Sequence, residues 1–431
     1  MRTLAVRGLT RWAAPGASLL MPVILGGVVL LGAAAPAWAQ GRVTFVQMTA
    51  QRCAEGGGCE WKLSCGPQGQ AETELFAGKE ARTKHSVTIN QGIDVRSFPV
   101  TIQCTAWEDD GIFGATWDKV GTGTVTVPSG GDYRIDIGNR DEGTVRVRIV
   151  ADSLEIGIPA PSAAPASKPG ARASARPATP PPAPQFVGVF NPQREGQAVL
   201  IGMEWDRFKA RMDELSGLGI QLFAVSSFEH GGKRLWNGIF RPSGEEMVLL
   251  ANQDSDKFID SYKRVTGGRK RLVDMEVYSS GGKLLFASLY RDLPNTTSNL
   301  WLGQTRKEFL EKTKELASLK SQQLGDVEVY RSGNALLYAG PFLQSGEPTE
   351  IWTGLEQGAF QSKWNGLSGK EWKLLDVETY KDGNKRMFDA VARAGARGDL
   401  VVGLNQAAFL AKWRELTAKG LRLTSVDVYQ D

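Results

Sequence analysis

Acidic side chains are the residues best suited to chemistry in this 431-residue sequence, which has only two histidines, His85 and His230. Two acidic groupings stand out. Ala106-Trp107-Glu108-Asp109-Asp110-Gly111 is followed by Trp117-Asp118-Lys119, three acids in one loop closed by a fourth. The second grouping recurs along the chain as Asp274/Glu276, Asp326/Glu328, Asp376/Glu378 and Asp427. These acids could line a concave surface that takes cations or a basic peptide. Their alternation with apolar residues predicts instead the solvated outward face of amphipathic strands. Ser280-Gly281-Gly282-Lys283 has the spacing of a serine-lysine nucleophile. Its glycines predict a hairpin turn rather than the start of a buried helix, and His230 falls in the equivalent turn of an earlier segment. No catalytic or cofactor-binding residue is assigned.

The elements that would position these groups fall into sharply different regions. Arg2, Arg7 and Arg11 precede an apolar run from Ala17 to Ala35 that ends in Ala37-Trp38-Ala39. This pattern predicts a secretory signal peptide over residues 1–39, with a retained membrane anchor as the competing reading. The mature chain is then expected to be exported, periplasmic or secreted, with no membrane contact beyond that segment. Lys and Arg number 51 against 47 Asp and Glu, a balance that gives no general drive toward nucleic acid.

All four cysteines, Cys53, Cys59, Cys65 and Cys104, lie close together. In an exported chain an even set in one small region predicts disulfides, and four cysteines allow three pairings. The favoured pairs are Cys53–Cys59, closing a Gly-rich loop, and Cys65–Cys104, joining two strands. A zinc site is the alternative, without the paired short spacings such sites use.

Residues 40–155 read as short alternating strands between turns, such as Arg42-Val43-Thr44-Phe45-Val46 and Thr144-Val145-Arg146-Val147-Arg148-Ile149. They predict a disulfide-tied antiparallel β-sandwich. The acidic loop with Glu108, Asp110 and Asp118 resembles the third loop of calcium-binding C-two domains, known from protein kinase C and synaptotagmin. The resemblance implies calcium as a ligand. Glu108 stands where aspartate is usual and the loop is longer than the family's, so affinity is expected in the weak extracellular range of about 0.1–1 mM. A solvated acidic turn is the plainer alternative. Residues 156–185 are rich in Pro and Ala. They predict an extended linker, long enough to separate its flanks by several tens of ångströms at about 3 Å per residue.

Residues 186–431 are repetitive. Phe208, Phe258, Phe309, Phe360 and Phe409 follow one another at steps of 50, 51, 51 and 49. A second aromatic keeps the same period at Phe228, Tyr278, Tyr330, Tyr380 and Tyr429. Two markers on one period predict five tandem units of about 50 residues. Apolar residues seven positions after each repeated Phe, and four positions after all but Phe309, where Thr313 stands, make one stripe of a short amphipathic helix. Asp254-Ser255-Asp256 reads as a helix cap. A strand such as Leu272 to Tyr278, a Gly-rich turn and two further strands complete the unit. One unit buries too little to be stable alone, so neighbours must share a core.

This pattern of a helix with a repeated Phe, a Val-x-Val-Tyr strand and a Gly-Gly or Asp-Gly turn resembles the bacterial tandem repeat domain of polyglycine hydrolases. The resemblance implies an open α/β half-barrel, with catalysis housed in a separate serine-hydrolase domain. Once the segments above are assigned, no stretch remains for such a domain. Trp301, Trp352, Trp364, Trp372 and Trp413 are read as packing rather than as a sugar-stacking platform.

The expected architecture is therefore multidomain, an N-terminal antiparallel β-sandwich followed by C-terminal α+β tandem repeats in an open, barrel-like platform. The expected function is non-catalytic binding of a protein or a cell-envelope polymer. A secreted peptidase or glycosidase with unidentified acids is the alternative.

Overall fold

The computed structural model describes residues 40–52, 59–109, 117–139, 143–158, 182–367 and 370–430. The expected signal peptide, Cys53, Asp110 and most of the Pro/Ala-rich segment lie outside them.

The N-terminal strands are β1 (Gln40–Arg52), β2 (Cys59–Pro67), β3 (Thr73–Ala81), β4 (Ser86–Val95), β5 (Val100–Asp109), β6 (Asp118–Val127), β7 (Gly131–Asn139) and β8 (Gly143–Ile156). Strands β4, β1, β8 and β7 are neighbours in one sheet, and β3-β2-β5-β6 make the second. All these pairings are antiparallel. Alternate residues point inward, so Val43 and Phe45 of β1 meet Trp61 and Leu63 of β2 and Val145, Val147 and Ile149 of β8 in one core. The result is a β-sandwich. Cys65 and Cys104 sit directly opposite each other in the β2/β5 pairing and form a disulfide. Cys59 is disulfide-bonded as well.

The repeats begin after β9 (Gln185–Pro192). The first unit comprises β10 (Gln197–Met203), α1 (Trp205–Gly217), β11 (Ile220–His230) and β12 (Lys233–Pro242). The second is β13 (Met247–Gln253), α2 (Ser255–Thr266), β14 (Lys270–Ser280) and β15 (Lys283–Asp292). The third is β16 (Ser298–Gln304), α3 (Arg306–Lys320), the split pair β17 (Gln322–Leu324) and β18 (Glu328–Ser332), and β19 (Ala335–Gln344). The fourth is β20 (Thr349–Glu356), α4 (Gln357–Gly366), β21 (Trp372–Asp382) and β22 (Lys385–Ala394). Among the described residues the fifth holds β23 (Asp399–Leu404), α5 (Gln406–Ala418) and β24 (Leu421–Tyr429).

Each unit is an antiparallel sheet in the order first, last, middle, with the helix packed over it. The fifth unit lacks its last strand, and β9 takes that place in the order β23-β9-β24. Chain from before the first unit thus completes the last. None of the sheets closes on itself, yet the strands β11, β14, β18, β21 and β24 touch in circuit, with β24 against β11. These five are the inner strands of a barrel-like platform.

The period markers are packing positions. All five repeated phenylalanines are fully buried, and their partners in the second marker series are buried as well. The helices start where side chains can cap them: Asp254, Thr305 and Asn405 each accept a backbone N–H three residues on. Each core cluster of the repeats crosses a unit boundary. Tyr278 packs its edge on Trp236 of the unit before, and Tyr429 does so on Phe388. The tryptophans belong to this packing: Trp352, Trp364 and Trp413 are buried, while Trp301 and Trp372 lean half-buried on the same clusters.

The middle of the sheet demands small residues beneath the helix phenylalanine. At Gly238 an added Cβ would lie 2.7 Å from both the Phe208 and Phe240 rings, and at Gly188 it would lie 2.9 Å from Phe409. A Gly238→Val substitution is expected to overpack this layer and lower stability by about 1–3 kcal/mol. The denaturant midpoint measures it, and an unchanged midpoint would mean that the layer yields freely.

The sandwich and the first repeat share a sheet. The C-terminal half of β8 pairs in parallel with β10, from Asp152 opposite Gln197 to Ile156 opposite Ile201. The Pro/Ala-rich segment therefore does not hold its flanks tens of ångströms apart. A buried ion pair adds to the contact: Arg422 Nε of β24 lies 2.8 Å from Asp152 Oδ1 of β8.

Candidate functional site

The recurrent acids face inward, contrary to the expectation of a solvated outer face. Glu276, Asp326, Glu328 and Asp427 are buried, and Asp274, Asp376 and Glu378 are partly covered in the wall of a central cavity. The strands alternate as expected, but their two faces are reversed. The Val and Tyr face packs under the helices, and the acidic face lines the axis.

The acids stand there because the inner strands belong to different sheets and cannot satisfy one another's backbone groups directly. A carboxyl group from each strand bridges the gap by accepting an amide N–H of the preceding strand. Val225 N donates to Asp274 Oδ2 at 3.0 Å and Ser227 N to Glu276 Oε2 at 2.9 Å. Met275 and Val277 donate to Asp326 and Glu328 at 2.9 and 2.8 Å, and Val327 donates to Asp376 at 3.2 Å. Ser425 and Asp427 do the same for Val377 and Thr379 at 3.3 and 3.0 Å. On β11 the equivalent positions are Ala224 and Ser226, and Ser226 Oγ donates instead to Val426 O at 2.6 Å. Paired buried polar groups of this kind hold a ring together where no ladder can form.

So many carboxyl groups in one interior cannot all be ionised. Burial, reinforced by the Asp376 charge, drives Asp274 well above the usual carboxylate range. Burial likewise drives Asp326, with Asp274 and Asp376 adding to it, and Glu328, with Glu276 and Glu378 adding to it. Glu276 is pushed up to about 8, chiefly by burial. Burial raises Asp376 as well.

The cavity above these acids measures about 400 Å3, within the range of small-ligand sites. Its rim is basic. Arg291, Arg393 and Lys373 line it together with Asn191 and Phe223. A smaller cavity of about 200 Å3 adjoins it at Phe223 and Arg291 and is lined also by Arg241. Arg241, Arg291 and Arg393 hold equivalent positions in β12, β15 and β22, each opposite a residue near the start of an inner strand.

The other candidate residues lie elsewhere. Glu108 is buried in β5 directly opposite Asp118, the first residue of β6. Asp110 lies outside the described residues, among which no three His, Cys, Asp or Glu side chains are grouped to hold a metal ion. Ser280 is exposed at the end of β14, where the hairpin turn begins. His230 Nδ1 is 3.0 Å from Gln430 Oε1. The basic rim escaped the sequence reading. Its signal was present in the period, since 241 and 291 are 50 residues apart and 393 holds the same sheet position.

With this geometry the repeats can be compared with known proteins. Residues 346–391 and 401–431 match one family, the polyglycine hydrolase-like structural repeat. No curated protein sequence matches the chain. Among solved structures, a C2 domain of plant extended synaptotagmin 1 is similar at 10% identity, covering 27% of this chain and 95% of its own, with a TM-score of 0.20. A structure described as a C2 domain gives 9% identity, 26% and 97% coverage and a TM-score of 0.20. Human GIVD cytosolic phospholipase A2 gives 9% identity over 77% of this chain and 36% of its own, again at 0.20. The sandwich assignment rests on the strand pairing described above.

Proposed function

We propose that this chain is an exported, non-catalytic binding protein whose repeat platform holds a protein segment or cell-envelope polymer at the basic rim of its central cavity. The observation that carries this reading is the commitment of the axial carboxyl groups to structure. Asp376 accepts from Val327 N through one oxygen and from Ser425 Oγ through the other. A group so tied positions strands rather than activating water. The matched family is itself described as a structural repeat, and the Cys65–Cys104 disulfide suits an oxidising compartment. Calcium would be held by Glu108, Asp110 and Asp118, of which Glu108 and Asp118 stand opposite each other across β5 and β6.

The alternative of a hydrolase would use Asp326 and Asp376, which line the same cavity, as acid and base, as paired carboxyls do in aspartic proteases. One experiment separates the readings. The full chain is immobilised and offered envelope proteins and cell-wall polymers, with and without calcium, while new amino groups and reducing ends are monitored. Retention without new chain ends is expected. Chain ends that appear with the wild type and vanish with Asp376→Asn would establish the hydrolase, and failure to retain any polymer or protein would end the binding reading.

A further inference from the structure

Phe223 on β11 meets two cations. The Arg241 guanidinium carbon lies 3.5 Å from its ring centroid and that of Arg291 lies 4.8 Å away. Two like charges on one ring repel, and the two acids that share the small cavity with them, Glu195 and Glu245, offset them only in part. Glu245 reaches Arg291 at 3.5 Å from a half-exposed position, and Arg241 has only the more distant charge of Glu195. Arg241 Nε is buried with no hydrogen-bond partner, and its contact with Leu423 O is long, at 3.5 Å. Burial and the Arg291 charge push the Arg241 guanidinium down to about 9. A buried guanidinium beside a second one, both opening on a cavity of about 200 Å3, has the donors and the room to receive an anion.

We infer that Arg241 and Arg291, stacked on Phe223, form a subsite for a carboxylate group of the ligand. This deepens the binding reading and rests on it. The choice of carboxylate follows from the surroundings. Two planar guanidinium forks suit a planar, singly charged oxyanion. Glu195 and Glu245 line the same small cavity and oppose a doubly charged phosphate more strongly than a singly charged carboxylate. A ligand whose carboxylate is seated here would extend into the larger cavity past Arg393 and Lys373.

The test is thermal unfolding of the full chain at constant ionic strength, with N-acetyl-dialanine, its C-terminal amide and inorganic phosphate as probes. The free carboxylate is expected to raise the melting temperature in a saturable manner, the amide to leave it unchanged, and phosphate to act at higher concentration only. Arg291→Gln should weaken the carboxylate response about tenfold or more. Arg241→Met is the second variant, because removal of an underpaired buried charge should not unfold the protein. It should abolish the response while the unliganded melting temperature holds or rises. Equal responses to acid and amide, a stronger response to phosphate, or a response that survives both variants would overturn the subsite. Polymer retention without any carboxylate response would remove this inference alone and leave the binding function standing.

Discussion

Asp152→Ala lowers the unfolding free energy by about 3–5 kcal/mol, the cost of leaving a buried cation without its counter-charge. Asp152 is fully buried in β8, and Arg422 of β24 is nearly so. The arginine is held on three sides by the carbonyls of Glu195, Thr417 and Leu421, so it cannot swing out to water when the carboxylate is removed. Asp152 also accepts Gln197 N at 3.2 Å, at the start of the parallel β8/β10 pairing. One carboxylate therefore ties the sandwich to the first unit and to the last. The double variant Asp152→Leu/Arg422→Met should recover most of the loss, because two packed apolar groups replace two desolvated charges. Urea unfolding of the three proteins measures this, and a double variant as unstable as the single one would mean that hydrogen bonding, not charge, dominates the contact.

Stability falls as pH rises from about 5 to 8, by on the order of 4 kcal/mol. The sign follows from the axial acids. Burial raises the folded-state proton affinity of Glu276, to about 8, and outside the axis it raises Asp152 of the β8 ion pair and Asp389 of β22 to about 6. In the unfolded chain the same groups lose their protons near pH 4. Above that value the folded state holds more protons than the unfolded one, so each rise in pH favours unfolding until the folded groups ionise as well. The protonated carboxyl still accepts the neighbouring amide through its carbonyl oxygen, so the ring survives in acid. Glu276→Gln keeps an acceptor for Ser227 N without a titrating proton, and it should flatten the dependence while raising stability at pH 8. Chemical unfolding at several pH values tests this, and stability that climbs between pH 5 and 8 would refute the account.

These two effects show which parts of the protein its residues spelled out. The repeated phenylalanines and the Tyr series were readable because helix stripes and strand alternation are local periodicities, and a period near 50 copies them in register. The disulfide between Cys65 and Cys104 was readable as one of three pairings, and strand register then selected it. Other markers sat in the sequence without local meaning. Gly202, Asn252, Gly303, Gly354 and Gly403 keep the same period, each left-handed where the first strand of a unit bulges, at φ values of 57–73°. Their shared role emerges only when five units are superposed in space.

Three features belong to the tertiary structure. Alternation shows that an acidic face exists, but the direction of that face depends on five strands converging, which no single strand encodes. The completion of the fifth unit by Gln185–Pro192 joins residues more than 200 positions apart in sequence. The stacking of Arg241 and Arg291 on Phe223 likewise joins two units across a boundary. Local hydrophobic pattern fixes what each element is, because it acts over three or four residues. Closure of the ring fixes what the elements enclose, because only there do unpaired amides, carboxyl groups and guanidinium groups from separate sheets come within reach of one another.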